Sequence, residues 1–227
     1  MKAVICNAPG DLELVERDEP VAEPGSVLVR IRRVGICGTD MHIFQGKHPY
    51  LAYPRIMGHE LSGEIASRPR DPRLREGQRV YINPYIACQS CHACRRGRPN
   101  CCMKVEVLGV HRDGGMVELL AVPERNVFSA EEIDIDAAAM VEFLAIGAHA
   151  VARSQMQQGE RVLVVGAGPI GLGVMLFAQL AGAQVTALDL RAERLEFARD
   201  TMGIENAVLA GAGAEAALAA LTDGNFF

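Results

Sequence analysis

The sequence predicts two domains, an antiparallel, barrel-like β domain followed by a parallel α/β domain. In the first half of the chain, short alternating apolar runs such as residues 27–32 indicate strands with one buried face. From Glu131 onward alanine-rich helical stretches appear, and Arg161–Val165 then begins a strand-loop-helix-strand series. This change of pattern divides the chain into domains 1–153 and 154–227.

Further elements of the β domain follow from local patterns. Residues 2–6 and 12–16 are apolar runs on either side of the turn-forming pentad 7–11, which is typical of a β-hairpin. Residues 61–66 and Arg79–Ile82 are short runs of the same kind. The chain therefore begins with β structure.

Composition limits the classes of partner. The chain has 227 residues, of which 49% are hydrophobic and 22% charged, as in ordinary globular proteins. A net charge of −5 gives no electrostatic footprint for nucleic acid or an anionic membrane. No signal peptide and no uninterrupted apolar span of membrane length is recognised, so the sequence predicts a cytoplasmic protein.

Four cysteines lie at metal-ligand spacing in the segment 84–104, here called the cysteine lobe: Cys88, Cys91, Cys94 and Cys102. Four thiolates suit tetrahedral zinc, whose bonds stabilise a segment too small for its own core. Disulfides, free core thiols and an iron–sulfur cluster are the alternatives, and the spacing favours structural zinc. Cys101 could replace Cys102 as the fourth ligand, and spacing leaves this open.

A second group of metal-ligand types is scattered. Cys37 lies within Gly-Ile-Cys-Gly-Thr-Asp, and His59 and Glu60 lie within Gly-His-Glu-Leu-Ser-Gly. A thiolate, an imidazole and a carboxylate can together form a catalytic zinc shell with an open position. Close by, Thr39 is also suited to cap the short helix that follows, and His42 to a surface position on that helix.

A glycine-rich loop follows the apolar strand Arg161–Val165 and opens an apolar helix. Backbone amides at such a helix N-terminus can hold a pyrophosphate. The candidate cofactor-binding residues of this loop are Gly166, Gly168, Pro169, Ile170 and Gly171.

The next predicted strand, residues 184–188, ends at Asp189, where a carboxylate can accept hydrogen bonds from ribose hydroxyls. Because that charge repels a 2′-phosphate, NAD is favoured over NADP, although Arg191 and Arg194 are close enough to soften the preference. We expect Arg194 to pack on the adenine face or to pair with Glu193 or Glu196.

Through these motifs the chain resembles the zinc-containing medium-chain alcohol and polyol dehydrogenases, over essentially its whole length. The resemblance implies a GroES-like β-barrel catalytic domain and a Rossmann domain, of which only the first half is present. It also implies catalytic and structural zinc, NAD as cofactor, a small-molecule alcohol as substrate, and a homodimer or homotetramer at full length.

The resemblance also assigns roles to single residues. It implies that Cys37 and His59 bind catalytic zinc, that Glu60 is a ligand or near-ligand, and that Asp40 supports the ligands by hydrogen bonding. Glu142 matches a carboxylate that lies beside zinc or its bound water, although Phe143 stands where proline is usual.

The resemblance further implies a route for the substrate proton. Zinc acts as a Lewis acid on the alcohol oxygen, Thr39 takes the hydroxyl proton, and the proton passes through the cofactor ribose toward His42.

Residues 37–44 and 53–60 look most like the polyol, threonine and bacterial sugar-acid branch. The function expected is oxidation of a secondary hydroxyl of a polyol or sugar acid with NAD. The alternatives are a simple alcohol or threonine dehydrogenase, and a truncated, non-catalytic zinc- and nucleotide-binding protein.

Only half of a dinucleotide fold can be recognised, with strands near Val162, Val185 and Val208. Phe226-Phe227 looks like the start of the next strand. The sequence therefore predicts that these residues are a fragment of a longer polypeptide, or a truncated product with poor turnover.

Overall fold

The computed structural model describes residues 1–225 and 227 of the chain. They form two compact units, Met1–Glu142 and Phe143–Phe227. The predicted boundary at residue 153 lies instead near the carboxyl end of a helix, Ile135–Ser154, that continues across the division. The sequence pattern placed the boundary at residue 153 because the helix is continuous, and no change of pattern within it marks the division between the units.

The first unit is built from antiparallel strands, as predicted. Its strands are β1 Lys2–Ala8, β2 Asp11–Glu16, β3 Ser26–Gly35, β4 Arg55–Ile56, β5 Glu60–Ile65, β6 Arg79–Ile82, β7 Tyr85–Ile86, β8 Glu106–Val107, β9 Leu119–Pro123 and β10 Val127–Ser129. A five-stranded sheet has the order β10-β6-β5-β3-β9, and a three-stranded sheet has the order β2-β1-β4. The β1–β2 hairpin confirms the prediction for the start of the chain.

The larger of two hydrophobic clusters in this unit packs on the five-stranded sheet. In β3 the buried residues Val27 and Val29 alternate with more exposed neighbours, which is the pattern that predicted the strand. Leu61 of β5 is paired with Ile82 of β6, and both side chains are buried in the same cluster. Short strands such as β4 and β8 were not predicted, because a run of two residues carries no periodicity.

The cysteine lobe lies outside the two larger sheets and contains a separate two-stranded sheet. The two-residue strands β7 and β8 pair with each other at its base, Tyr85 opposite Val107. Between them the chain forms helix α2, His92–Arg95, and one turn of 3-10 helix, Pro99–Cys101. Only Cys102 of the four candidate ligands is buried.

The second unit has parallel strands connected by helices, which confirms the predicted α/β class. Its elements are β11 Arg161–Val165, α4 Pro169–Leu180, β12 Gln184–Asp189, α5 Ala192–Met202, β13 Asn206–Leu209 and α6 Ala214–Leu221. The strands are ordered β11-β12-β13 in the described residues, as in the first half of a Rossmann fold. The strand start predicted at Phe226-Phe227 involves Phe226, which lies outside the described residues.

One helix meets the length and hydropathy criteria for a membrane span, although it is not an uninterrupted apolar run. Helix α3, Ile135–Ser154, is long and apolar enough to cross a membrane by length and composition, with a hydropathy of 1.5. The sequence pattern missed it because Asp136, Glu142 and Arg153 interrupt the run without lowering its mean hydropathy enough. Glu142 is buried and accepts a hydrogen bond from Tyr85, so we assign this helix to the folded protein.

Candidate functional site

Two motifs that are distant in sequence meet at one end of the five-stranded sheet. Cys37 follows β3 and stands at the N-cap of helix α1, Gly38–Phe44, while His59 immediately precedes β5. Strands β3 and β5 are antiparallel neighbours with Gly35 opposite Glu60. The end of one strand therefore lies beside the start of the other, and this topology brings the scattered ligand types together.

The side chains of Cys37, His59 and Glu60 form a compact cluster, here called the mixed-ligand site. The sulfur, a ring nitrogen and a carboxylate oxygen all lie within 4.8 Å of one another. His59 and Glu60 are only 5% and 6% exposed, and Cys37 is half-buried. Three protein ligands of these types leave one position of a tetrahedral zinc open, as catalytic sites require.

Asp40 cross-links the two loops that carry the ligands. Its Oδ2 accepts a hydrogen bond of 2.9 Å from the Cys37 amide, and its Oδ1 accepts one of 3.3 Å from the Gly58 amide. The same Oδ1 lies 3.8 Å from Nδ1 of His59, which is buried and without a hydrogen-bond partner in the described residues. A carboxylate facing one ring nitrogen is the usual support of a metal-ligating histidine, so this geometry fits zinc.

The electrostatics of the mixed-ligand site also fit a cation. Burial lowers the pKa of His59, but a hydrogen bond with Cys37 and the charge of Asp40 outweigh it and leave the pKa raised. Burial raises the pKa of Glu60, and the nearby Glu142 carboxylate adds to the shift while His59 opposes it. Several acidic groups thus share a space with little water, and a divalent cation would offset their mutual repulsion.

Glu142 stands next to the mixed-ligand site without joining it. Its carboxylate is not among the three groups whose ligand atoms cluster, although it is buried. Instead its Oε1 accepts a hydrogen bond of 2.8 Å from the Tyr85 hydroxyl. Burial, and then the Glu142 charge, raise the pKa of Tyr85, so the phenol keeps its proton. Sequence reasoning missed Tyr85, because it belongs to no motif and lies 57 residues from Glu142.

The helix that follows Cys37 begins at Gly38, two residues earlier than it would if Thr39 were its N-cap. Cys37 is the N-cap of α1, and Thr39 lies inside the first turn, so the capping alternative for Thr39 was wrong. The reason is that Asp40 already accepts the Cys37 amide and starts the helix there. The Thr39 hydroxyl is 3.8 Å from the Cys37 sulfur, whereas His42 is exposed. A proton route between Thr39 and His42 remains a prediction.

The His59 loop is held by glycines packed backbone against backbone. Gly58 has a φ of 93°, a conformation that disfavours any other residue. A side-chain carbon added at Gly109 would lie 2.8 Å from the Gly58 nitrogen, and one at Gly114 would lie 2.6 Å from the Met57 oxygen. Three glycines from two stretches of the chain therefore allow this loop to reach its position beside Cys37.

In the cysteine lobe, the structure brings together the sulfur atoms of Cys88, Cys91, Cys94 and Cys102, all within 4.8 Å. Cys101 is exposed and outside this group, so Cys102 is the fourth member. Hydrogen bonds from Ser90, first from its amide and then from its hydroxyl, lower the pKa of Cys88 to about 5. A thiolate at neutral pH is the form that binds zinc.

The glycine-rich loop of the second unit has the geometry of an anion cradle. Gly166 has a φ of 103°, Gly168 is the N-cap of α4, and Pro169 is its first residue. Ile170 and Gly171 follow in the first turn, and a side chain on Gly171 would collide with the Gly166 carbonyl. The free amides of this helix end are therefore accessible to a phosphate group.

Asp189 ends β12 and ties this loop down. Its Oδ2 accepts a hydrogen bond of 2.7 Å from the Ala167 amide, and its Oδ1 accepts one of 2.9 Å from the Arg191 amide. Burial raises the pKa of Asp189. The hydrogen bonds from these two amides and the charge of Arg194 lower it by more than burial raises it, so the pKa is lowered overall. The carboxylate is 7% exposed and negatively charged.

The ion pairs of the two arginines near Asp189 correct the pairing expected for Arg194, whereas its packing on the adenine face stays a prediction. Arg194 forms an ion pair with Asp189 at 3.6 Å and not with Glu193 or Glu196. It is Arg191 that pairs with Glu193, at 2.7 Å from its Nε. Helix α5 begins at Ala192, so Arg194 lies in its first turn, close to the end of β12, and Arg191 stays outside the helix.

A β domain with one mixed-ligand site and one four-thiolate lobe, followed by a glycine-loop α/β unit, defines the zinc-type alcohol dehydrogenase class. Residues 23–132 match the family model described as the alcohol dehydrogenase GroES-like domain. The chain belongs to the zinc-containing medium-chain alcohol dehydrogenase family, which confirms the resemblance found in the sequence.

Among its relatives is L-galactonate-5-dehydrogenase of Escherichia coli K12, 48% identical over 86% of this chain and 58% of the relative. An L-threonine 3-dehydrogenase of Streptomyces avermitilis is 39% identical over 88% of this chain and 60% of the relative. A solved structure of the alcohol dehydrogenase RspB of E. coli CFT073 with NADH has a TM-score of 0.89 and 35% identity, covering 98% of this chain and 66% of that one. The chain spans between 58% and 62% of the length of such curated relatives.

Proposed function

We propose that this chain supplies the zinc-binding catalytic domain and the adenosine-binding half of an NAD-dependent dehydrogenase. The reaction is oxidation of a secondary hydroxyl of a polyol or sugar acid to a ketone. The observation that carries the proposal is the mixed-ligand site, in which Cys37, His59 and Glu60 offer three ligand atoms within 4.8 Å of one another.

In this proposal Cys37, His59 and Glu60 hold the catalytic zinc, and the carboxylate of Glu142 lies beside it. When bound, the metal supplies Lewis acidity toward the substrate oxygen and the nicotinamide accepts a hydride. Asp40 holds both ligand loops through the Cys37 and Gly58 amides, so little reorganisation is needed when a ligand binds.

The proton of the substrate hydroxyl is assigned to Thr39. Its hydroxyl lies 3.8 Å from the Cys37 sulfur, which is close enough for a substrate bound at the site to reach it. His42 is exposed and therefore able to pass a proton to solvent, and we assign it the end of the route.

NAD is the cofactor of the proposal. Gly166, Gly168, Pro169, Ile170 and Gly171 hold the pyrophosphate, and Asp189 accepts the ribose hydroxyls while its charge disfavours a 2′-phosphate. Arg194 lies close to this loop. Its guanidinium nitrogen would be 3.8 Å from the β-carbon of a residue that replaced Gly168. Because Arg191 is paired with Glu193, it is less available to a 2′-phosphate, which also favours NAD.

The substrate class is supported by similarity to L-galactonate-5-dehydrogenase, and the relatives that are threonine dehydrogenases support a second candidate. A non-catalytic zinc- and nucleotide-binding protein is the third. We further propose that the protein acts in the cytoplasm as a homo-oligomer and that it binds neither nucleic acid nor membrane.

The proposal is tested with zinc-loaded, purified protein expressed as a polypeptide that includes both halves of the nucleotide-binding domain, because hydride transfer needs the nicotinamide half as well. Metal analysis should give two zinc ions per chain, and NADH formation should be measured with a panel of aldonates, polyols, simple alcohols and threonine. The Cys37→Ser variant is the matched control, because it removes only the mixed-ligand metal.

Turnover of an aldonate or polyol that depends on Cys37 supports the proposal. Turnover of threonine alone selects the second candidate. NAD binding and full zinc content with no turnover of any substrate favour the non-catalytic alternative.

A further inference from the structure

Glu142 has an environment that its assignment beside the metal does not explain. It is 9% exposed, yet its ligand atoms stay outside the cluster formed by Cys37, His59 and Glu60. A buried carboxylate beside a divalent cation would be drawn to it as a further ligand. A contact that fixes the orientation of Glu142 would oppose this.

The contact is made by Tyr85. Its hydroxyl donates to Glu142 Oε1 at 2.8 Å, and in the part of the chain that the structure describes no other hydrogen bond reaches this carboxylate. A hydrogen bond to an ionised acceptor is among the stronger ones in proteins. Tyr85 can therefore compete with a metal for the orientation of Glu142.

The backbone of Tyr85 is firmly placed, although the residue is 43% exposed. It belongs to β7, which pairs with β8 at the base of the cysteine lobe. The side-chain amide of Asn126 donates to the carbonyl oxygens of Tyr85 and Asn83, at 3.0 and 2.9 Å. Asn126 is 4% exposed, so these bonds are protected from water. A rigid backbone at Tyr85 means that its hydroxyl does not simply follow Glu142 if the carboxylate moves.

We propose that Tyr85 is a positioning residue of the mixed-ligand site, which holds Glu142 beside the metal and thereby keeps the fourth coordination position open. This inference rests on the proposed function. Without the Tyr85 hydroxyl, Glu142 turns toward the cation and becomes a fourth protein ligand, so exchange of small ligands at the metal is suppressed.

The test uses the full chain with cobalt in place of zinc and imidazole as the probe ligand. The visible spectrum of cobalt reports its ligands, and subtraction of the His59→Ala spectrum removes the contribution of the cysteine lobe. In the parent protein imidazole should enter the open position and change the spectrum. In Tyr85→Phe the same change should need about tenfold more imidazole or be lost.

Two further variants isolate the cause. Tyr81→Phe removes a phenol whose ring stacks on Phe128 at 5.4 Å and whose hydroxyl has no hydrogen bond in the described residues, so it should behave like the parent. In Tyr85→Phe with Glu142→Gln, the charged ligand is gone and the imidazole response should return. A double-mutant cycle of this kind separates positioning from a general loss of structure.

A Tyr85→Phe protein that binds imidazole like the parent overturns the inference, and so does a loss of response that persists when Glu142 is also replaced. Both outcomes leave the proposed function standing, because cobalt is still bound at the His59-dependent site. A parent protein without any His59-dependent cobalt spectrum overturns the proposed function and the inference together.

Discussion

The two metal-ligand clusters of the first unit are organised in opposite ways. In the cysteine lobe the ligands lie within one short segment, three of the four cysteines are partly exposed, and two paired strands of two residues each close the base of the segment. In the mixed-ligand site the ligands come from two distant loops, and buried Asp40 joins these loops by hydrogen bonds to the Cys37 and Gly58 amides.

This difference teaches what each metal has to do. Because three of the four lobe cysteines are partly exposed, we expect the order of the lobe to depend on the zinc proposed for it. The hydrogen bonds of Asp40 order the mixed-ligand site without a metal, so we expect a metal bound there to serve chemistry. The lobe should thus respond to metal loss by losing structure, and the mixed-ligand site by losing activity.

The largest expected effect concerns activity. Cys37→Ser or His59→Ala should reduce NADH formation to background while the lobe keeps its zinc, because the two sites share no ligand. Steady-state turnover and zinc content measure this, with Cys101→Ser as the control because Cys101 is exposed and outside both clusters. Near-parental activity in either variant would contradict the proposed mechanism.

The second effect concerns order in the lobe. Cys102→Ser should leave the lobe without a tetrahedral site, so hydrogen exchange of amides in residues 84–104 should approach that of an unfolded segment. Cys101→Ser, its neighbour, should exchange like the parent protein. Equal protection in the two variants would mean that the lobe holds its shape without zinc.

The third effect tests whether Asp40 organises the mixed-ligand site. Asp40→Asn keeps the volume but removes the charge that faces His59, and we expect metal affinity there to fall about 10- to 100-fold. Competition with a chelator measures this, and the exposed Asp18→Asn is the control. Unchanged metal affinity in Asp40→Asn would mean that the packing of Gly58, Gly109 and Gly114, and not Asp40, holds the ligands in place.

The fourth effect extends the comparison to the second unit, where Asp189 ties a ligand-binding loop as Asp40 does in the first. Asp189→Ala should weaken NAD binding and narrow the gap to NADP, because the ribose acceptor and the repelling charge are lost together. Titration of both cofactors measures this, with the exposed Asp200→Ala as the control. Unchanged affinities would mean that Asp189 serves only the loop.

The smallest effect is a pH dependence of stability. Because the pKa of Asp189 is lowered in the folded protein, its contribution is present above its unfolded-state pKa of about 3.9 and is lost as the pH falls through the lower folded value. The difference in thermal stability between the parent and Asp189→Asn should therefore shrink on acidification below about pH 4. A difference that is constant with pH would assign the effect to packing.

Much of this could be predicted from sequence. Local patterns can be recognised in a sequence. They include the hairpin of β1 and β2, the order of β11, α4 and β12, and the spacing of the lobe cysteines. The link between Tyr85 and Glu142 could not be predicted, because it depends on how β7 and α3 pack. The unit boundary within α3 and the partner of Arg194 escaped for the same reason.

The glycines around His59 have a consequence for how substitutions should be interpreted. Gly109 and Gly114 carry no reactive atom and lie far along the chain from His59, yet each occupies space where a methyl group would meet the backbone of the His59 loop. In a survey of tolerated variants these positions would be as restricted as the ligands themselves. A position that tolerates no substitution is therefore not necessarily a catalytic position here. The absence of a side chain at Gly109 and Gly114 is as necessary for the placement of His59 as the side chains of the ligands are for metal binding.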